Sequence, residues 1–480
     1  MCRASDPDRS RGFQVFEKIK HSISTGRLDQ TEFNYAIVLA LIFFSLGCDA
    51  TRTRSPSLDP TPPLGVLRVA TSGDYLPFSD WPEDAPAPGG FSASVAEAYA
   101  SDTGAILEWN RFRWPELADD LAAGSFDLAL SGITIRPDRS MQGRFGLPIT
   151  TSGAIVLVNA DSSLASAEDL DQPSIRIAVN AGGHLEKVAR RLFPSARIEA
   201  ISDNATVLRR LVRGAADAVV TDTVEAPHWQ GNARARLRAI GPLTRDLKAA
   251  WFPPQNELEA LRFNRWLLRA EATGQLDQLR QEYGLPTTQT ARPLAALLSS
   301  LDERLTLMPA VADAKQILAA AIENPAREQI VLDSAVRAIQ DAAHESESPP
   351  PDPITIRRLF RAQIEAAKWI QIQHLRNLPT DLPPASRAER LDAKMTLDEV
   401  IRPALIYLGN RISMLIIACR DESTGSLEYA DVARALERHN LPESHLRALH
   451  EAVSGIISHE THNEPAHRPA PARTSRVPSE

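Results

Sequence analysis

Residues 294–305 read LAALLSSLDERL, with Leu294, Leu297, Leu298, Leu301 and Leu305 at steps of three and four. That spacing puts five leucines on one face of an amphipathic helix and opens an all-helical region. Arg304 follows Leu301 by three residues, on or beside the apolar stripe. Lys315 comes 315 − 304 = 11 residues later, three turns on at nearly the same azimuth, roughly 16 Å along the axis. Two long cationic side chains in that register can close on a small anion between them. Asn324-Pro325 predicts an N-cap followed by proline at the first helical position, with Arg327 and Glu328 in the first turn. A further helix from about Ile356 to Asn377 aligns Phe360, Ile364, Ala367 and Gln371, so Gln371 is a polar group on a face that should be buried and needs a partner. Taken singly, Arg304 and Lys315 read as snorkelling cations and Asn324 as a cap. Turned inward together they are costly without a ligand.

Those residues in that order, Arg304, Lys315, Asn324, Arg327-Glu328 and Gln371, resemble the all-helical chorismate mutases. The resemblance implies that the arginines hold substrate carboxylates while Lys315 and Gln371 face the breaking ether oxygen. Asn324 stands where some members carry Asp, and Ala367 where members carry Ser or Thr. Two Pro-rich stretches, SESPPPDP at 346–353 and PTDLPPAS at 379–386, read as loops between helices. Leu397 to Cys419 reads as another apolar helix carrying Arg402 and Arg411. The longer secreted mutases complete their site with an arginine from within the chain. Arg411 matches that role better than Arg402, which precedes Pro403.

Upstream, short apolar runs alternate with helical stretches: LRVATS, AILEWNRF, FDLALSGI, IRIAVN and DAVVTD. This is the signature of α/β structure with largely parallel strands. Gly182-Gly183 follows a strand and precedes a helix, a place where backbone N–H groups suit an anion. Asp222 and Glu225 lie at and just beyond the carboxyl end of DAVVTD, where open sheets bind ligands. The fold class is therefore multidomain, an α/β region followed by an all-α helical bundle.

Residues 64–287 resemble the two-lobed periplasmic solute-binding proteins for polar amino acids, through GDYLPFS (73–79), SGIT (131–134), Arg139 and the strand ending at Asp222. In that family Arg139 and the hydroxyls of Ser131 and Thr134 would grip an α-carboxylate, and Asp222 an amino group. The resemblance is closer to an enzymatic branch of the fold, the cyclohexadienyl dehydratases. It is carried by GDYLPFS with Asp74 and Tyr75, Trp114-Pro115, FDLALSGI, VNAGG with Asn180 and Gly183, and TDTVEA with Glu225. That resemblance implies Glu225 as general acid and a two-lobed periplasmic-binding-protein-like fold. Ser92 and Ser94 depart from the usual aspartates, and His184 stands where threonine is common. His184 either retunes substrate contacts or is a polar helix-start residue. In isolation Glu225 reads as an exposed acid of a first helical turn, and Arg139 with Asp222 fits solute binding without chemistry.

At 480 residues the chain has room for two to four domains. A net charge of −8 argues against nucleic acid as a partner. Cys2, Cys48 and Cys419 have neither metal-site nor disulfide-framework spacing, and neither cofactor nor metal is expected. Residues 35–47, YAIVLALIFFSLG, are too short to span a bilayer and suit the apolar region of a signal peptide. SLGC at 45–48 resembles a bacterial lipoprotein cleavage box, which implies export and lipidation of Cys48. The expected organisation is a leader at 1–48, a disordered linker at 49–63, a dehydratase region at 64–288, a mutase region at 291–458 and a disordered tail at 461–480. Small molecules are the expected partners: chorismate, prephenate and, as an alternative, arogenate. Membrane contact is expected only through the N-terminal anchor, and oligomeric state is open. The two enzymatic regions are expected to separate near Gln289 to Pro293 and to work as independent fragments.

Overall fold

The computed structural model describes residues 65–232, 236–379, 385–422 and 427–458, and these described residues belong to one compact unit. The expected leader with Cys48, the linker and the 461–480 tail lie outside the described residues. The strands are β1 (Val66–Thr71), β2 (Asp74–Tyr75), β3 (Ser79–Asp80), β4 (Ile106–Arg111), β5 (Leu128–Ala129), β6 (Arg144–Ser152), β7 (Ala154–Asn159), β8 (Arg176–Asn180), β9 (Arg197–Ile201), β10 (Ala218–Asp222), β11 (Leu237–Ile240) and β12 (Asp246–Phe252). They form two five-stranded sheets, β4-β1-β5-β12-β6 in lobe 1 and β11-β7-β10-β8-β9 in lobe 2, beside a β2–β3 pair.

The parallel pairs are β1 with β4 and β5, and β8 with β9 and β10. All of these but β9 are runs that the sequence shows as isolated apolar strands. The antiparallel members β6, β7, β11 and β12 carry the chain between lobes. One crossing runs from β6 to β7 at Gly153 and the other from β11 to β12. They touch: Ala154 N donates to Thr244 Oγ1 at 2.8 Å and Leu243 N to the Ala154 carbonyl at 2.7 Å. A Cβ at Gly153 would collide with the Thr244 carbonyl, so this crossing needs glycine for close approach. The ligand-side strand ends of both lobes therefore face one cleft.

The C-terminal helices are α1 (Pro293–Thr306), α2 (Met308–Ile317), α3 (Pro325–Glu345), α4 (Pro353–Arg376), α5 (Arg387–Met395), α6 (Arg402–Asp421), α7 (Tyr429–Ala435) and α8 (Glu443–Ile457). A π-helical turn, Thr396–Ile401, joins α5 to α6. The Pro-rich 346–353 stretch separates α3 from α4 as expected. Arg304 and Lys315 do not share one straight helix. The axis breaks at Leu307, because Pro309 has no N–H to give the Leu305 carbonyl.

β6 is an edge strand, and side chains cover that edge. Asn264 Oδ1 accepts from Leu147 N at 2.7 Å; Thr290 Oγ1 donates to the Pro148 carbonyl at 2.8 Å and Arg280 Nε to that of Ile149 at 2.8 Å. From α6, the Tyr407 hydroxyl donates to the Phe145 carbonyl at 2.6 Å and Arg411 Nη1 to the same oxygen at 2.9 Å. One continuous hydrophobic core runs from Leu147, Ile149 and Phe263 of lobe 1 into Leu297, Leu301 and Ile412 of the bundle. The boundary near 289–293 is thus a change of sequence pattern but not a break in packing.

Candidate active site in the cleft

A cleft lies between the lobes, lined by residues that include Tyr75, Trp114, Thr134, Arg139, Asn180, Gly183, His184, Asn204, Glu225 and Lys248. Its walls meet where the Gly182-Gly183 turn packs on the Trp114-Pro115 segment. Gly182 has φ 73°, and a Cβ there would sit 2.7 Å from Pro115 Cα.

Glu225 follows β10 and is 2% exposed. Asn204 Nδ2 donates to its Oε1 at 2.7 Å and Thr221 Oγ1 to its Oε2 at 2.7 Å. Burial, reinforced by the charge of Asp222, raises its pKa to about 8. A carboxyl held in this way carries its proton at neutral pH and can donate it. Asn204 also donates to the Asp74 carbonyl at 2.9 Å, which ties the acid to the β2 turn. Asp74 accepts from Trp114 Nε1 at 3.2 Å, and burial raises its carboxyl pKa as well. Tyr75 and Trp114 meet edge to face, 5.7 Å between centroids.

Arg139 sits in the helix Pro137–Gln142, 4% exposed, with one hydrogen bond of its guanidinium to the Thr134 carbonyl at 3.4 Å. No carboxylate among the described residues pairs with it. Burial, with the positive charge of Arg136 nearby, lowers its pKa to about 9, so it stays charged at neutral pH. A buried, charged and unpaired guanidinium at a cleft wall is a site for a carboxylate. Asn180 Nδ2 is likewise buried without a partner. His184 opens the helix His184–Leu192 after Gly183, with Nε2 3.0 Å from Asp246 Oδ2. Burial lowers its pKa despite that carboxylate, leaving the imidazole neutral at pH 7.

Two predicted ligands are placed differently from expectation. Ser131 is fully buried behind the wall, its hydroxyl 2.8 Å from that of Ser72 and accepting from Ser72 N at 3.2 Å. It is a strut between β1 and the turn after β5, not part of the carboxylate grip. Asp222, read as an amino-group ligand, is fully buried and bonded from within the protein. Lys248, Asn204, Thr221 and Asp246 were not read from the sequence. A lysine inside the apolar run of β12, DLKAAWF, was the available signal for Lys248.

In the bundle, Asn324 caps α3, accepting from Arg327 N at 3.0 Å, while Glu328 reaches back to Asn324 N at 3.4 Å. Arg304 Nη1 donates to the Leu405 carbonyl at 3.3 Å and Lys315 Nζ to that of Ile322 at 2.9 Å. No described carboxylate lies within ion-pair distance of either. Burial lowers the pKa of Arg304 to about 10 and also lowers that of Lys315, which feels the charges of Glu328, Arg402 and Lys368. Arg402 in turn feels Arg327. Gln371 is 4% exposed; its Nε2 donates to the Ala367 carbonyl at 3.1 Å and lies 3.7 Å from Met308 Sδ, and its Oε1 has no partner. Arg411 belongs elsewhere. It is fully buried and bonded to Glu303, Ser300 and the Phe145 carbonyl, so it braces β6. Of Arg402 and Arg411, both on α6, Arg402 is the one beside Lys315 and Arg327, and it also pairs with Asp398.

The two lobes, the double crossing and the buried cation at the cleft define a solute-binding-protein architecture. The chain belongs to the bacterial extracellular solute-binding proteins, family 3, which match over residues 67–286. It is 35% identical over 259 residues to a cyclohexadienyl dehydratase of Pseudomonas aeruginosa, across 52% of this chain and 96% of that protein. It is 25% identical over 256 residues to the arginine-binding extracellular protein ArtP of Bacillus subtilis, across 52% of this chain and 95% of that protein. A solved structure of the ancestral amino acid-binding protein AncCDT-1, a precursor of cyclohexadienyl dehydratase, is 30% identical, covering 45% of this chain and 95% of its own, with a TM-score of 0.43.

Proposed function

We propose that the protein is a bifunctional enzyme that rearranges chorismate to prephenate in its helical region and converts prephenate to phenylpyruvate in its cleft. The observation that carries the second activity is Glu225, a buried carboxyl with a pKa near 8, in the same cleft as unpaired Arg139. Prephenate loses carbon dioxide and its ring hydroxyl. Hydroxide leaves poorly, so Glu225 protonates it. The C–C bond to the ring carboxylate then breaks, its electron pair aromatises the ring, and water and carbon dioxide depart. Arg139 holds a carboxylate of the substrate, and Asn180 and Thr134 orient it. The likeness to the Pseudomonas dehydratase supports this reading.

The mutase step moves no proton. It needs a compact conformer and stabilised negative charge on the ether oxygen. Arg304, Lys315, Arg402 and Gln371 supply cations and an amide for that, with Arg327, Asn324 and Glu328 at the rim. One region's product is then the next region's substrate. We further propose export through the 1–48 leader, a lipid anchor at Cys48, a 49–63 tether, catalytic regions at 64–288 and 291–458, and a 461–480 tail.

The purified chain incubated with chorismate should yield phenylpyruvate by way of prephenate. Phenylpyruvate from added prephenate but not from chorismate would remove the mutase alone. Binding of an amino acid with no product from prephenate would leave a receptor, the reading that the likeness to ArtP favours.

A further inference from the structure

We infer that Glu303, in the helical bundle, is a positioning residue for the cleft: through Ser140 it fixes the guanidinium of Arg139 and so sets how tightly the cleft holds a substrate carboxylate. This rests on the dehydratase reading of the cleft and adds to it a residue from outside the 67–286 stretch that the solute-binding family shares.

Arg139 stands on a helix of six residues, Pro137–Gln142. A segment that short does not hold its own shape in water, so its place is set by what it is tied to. On its cleft side the Arg139 guanidinium has one bond, at 3.4 Å, and lies 5.8 Å from the Trp251 ring. On its outer side Asp138 pairs with Arg136 and with the exposed Lys187, and such surface pairs add little. On its buried side two bonds anchor it. The Trp251 indole donates to the Arg139 carbonyl at 3.1 Å, and the Ser140 hydroxyl to Glu303 Oε1 at 2.7 Å. Ser140 and Glu303 are both buried, so water does not stand in for either partner. Glu303 also secures the first anchor. Its second oxygen accepts from Arg411, whose Nη1 donates to the Phe145 carbonyl at 2.9 Å, and the Phe145 ring stacks on Trp251 with centroids 5.9 Å apart. Both buried ties of the Arg139 helix lead back to one carboxylate.

The support runs one way. Glu303 belongs to α1, a helix of 14 residues whose Ala296, Leu297, Leu301 and Leu305 are buried in the shared core. That burial holds α1 whatever Ser140 does, whereas the short helix has no such hold. Arg304, next to Glu303, therefore keeps its place when the bond is cut, and Arg139, next to Ser140, does not. Neighbouring residues of a helix point about 100° apart, which lets Ser140 face the bundle while Arg139 faces the cleft.

The test is kinetic, on the full chain. Ser140→Ala removes the hydroxyl and little volume. It should raise dehydratase KM for prephenate about fivefold or more, the scale of one lost hydrogen bond, and leave dehydratase kcat and mutase kcat/KM within about twofold. Glu303→Gln keeps the Ser140 contact, because the hydroxyl can accept from the amide nitrogen while the amide oxygen faces Arg411. It should keep the parental KM and lower the melting temperature, the reverse of Ser140→Ala. Ser140→Cys, a weaker donor of similar size, should fall between the parent and Ser140→Ala in KM, and it decides by the same measure should Ser140→Ala fold poorly. A purely structural role makes KM follow melting temperature across the three variants. That pattern would overturn the inference, as would a parental KM in Ser140→Ala. Titration calorimetry with phenylpyruvate separates the inference from the dehydratase reading. No prephenate turnover by the parent, with phenylpyruvate binding weakened about fivefold or more in Ser140→Ala, would remove the dehydratase and keep the positioning. Turnover by the parent, with KM and phenylpyruvate affinity unchanged in Ser140→Ala, would do the opposite. A parent chain that binds neither compound would overturn both.

Discussion

Glu225 owes its proton to its surroundings, and each consequence of that has a sign. Its pKa rises from the ordinary 4.5 to about 8 through burial and the neighbouring Asp222 charge. Between those two values the folded chain binds the proton and the unfolded chain does not, so this group's contribution to stability falls as pH rises through that window and is constant above it. The dehydratase rate should hold up to about pH 8 and then fall roughly tenfold per unit as the acid ionises. Glu225→Gln keeps the contacts to Asn204 and Thr221, because the Thr221 hydroxyl can accept as well as donate. It should lower dehydratase kcat by about 10²-fold or more, leave mutase activity intact, and melt above the parent at pH 8 to 9. Parental phenylpyruvate formation in this variant would remove Glu225 as the acid. Gln371 gives the matching test in the bundle. Its amide donates at every ordinary pH, whereas a carboxylate there donates only when protonated. Gln371→Glu should shift mutase kcat/KM toward acid with a new titration, and Gln371→Ala should be slow throughout, by roughly 10²- to 10³-fold. Loss of melting temperature without either kinetic change would make Gln371 a packing residue bonded to the Ala367 carbonyl.

At the scale of elements, two of the three arginines on α6, Arg402 and Arg411, have different tasks, and their periodicity alone does not separate them. Both face inward. Arg411 meets Glu303, Ser300 and the Phe145 carbonyl, and Arg402 stands near Lys315 and Arg327. Arg411→Leu should destabilise the chain by about 3–5 kcal/mol, because it leaves Glu303 buried and uncompensated. At a temperature where the variant is folded it should keep mutase kcat/KM within tenfold, while Arg402→Ala should lose more than that with little change in melting. The opposite pattern would return Arg411 to the site. The misreading has a physical source in β6. RFGLPITTS holds Gly146 and Pro148, turn-like residues that an edge strand tolerates because one side of its ladder is unpaired. With β6 unread, Arg411 had no visible partner. The parallel strands other than β9 were legible because each is a short apolar run between helices. Lys248 was not, because a charge within an apolar strand is legible only once its acceptors, Thr134 and Tyr75, are brought beside it by the lobe crossing. Arg139, Glu225 and Tyr75 were legible through local motifs, but Asn204 and Thr221 have no signature beyond their place in the fold.

Across the whole molecule, the bundle serves lobe 1 as its outer wall, and this argues that the two regions depend on each other. The link is covalent at Gln289 to Pro293, but the energetic link lies in the shared core and along β6. Cutting after Gly284 would remove Thr290, Tyr407 and Arg411 from the β6 carbonyls. Water can replace those hydrogen bonds at small net cost. It cannot replace the burial of Leu147, Phe263 and Leu267, which are wholly buried in the core shared with Leu297, Leu301 and Ile412. The cut would leave a contiguous apolar patch beside a strand edge covered only by Asn264 and Arg280, two features that promote aggregation. The 64–284 fragment should therefore elute as aggregate or melt well below the 64–480 chain, by about 10 °C or more. Arg139 would be affected too, since Ser140 next to it donates to Glu303 Oε1 at 2.7 Å across the same interface. Dehydratase KM in the fragment should rise more than kcat falls, and co-expression with residues 285–480 should restore both solubility and KM. A monomeric fragment with the melting temperature and KM of the whole chain would show that lobe 1 closes its own core and that the bundle is only tethered to it.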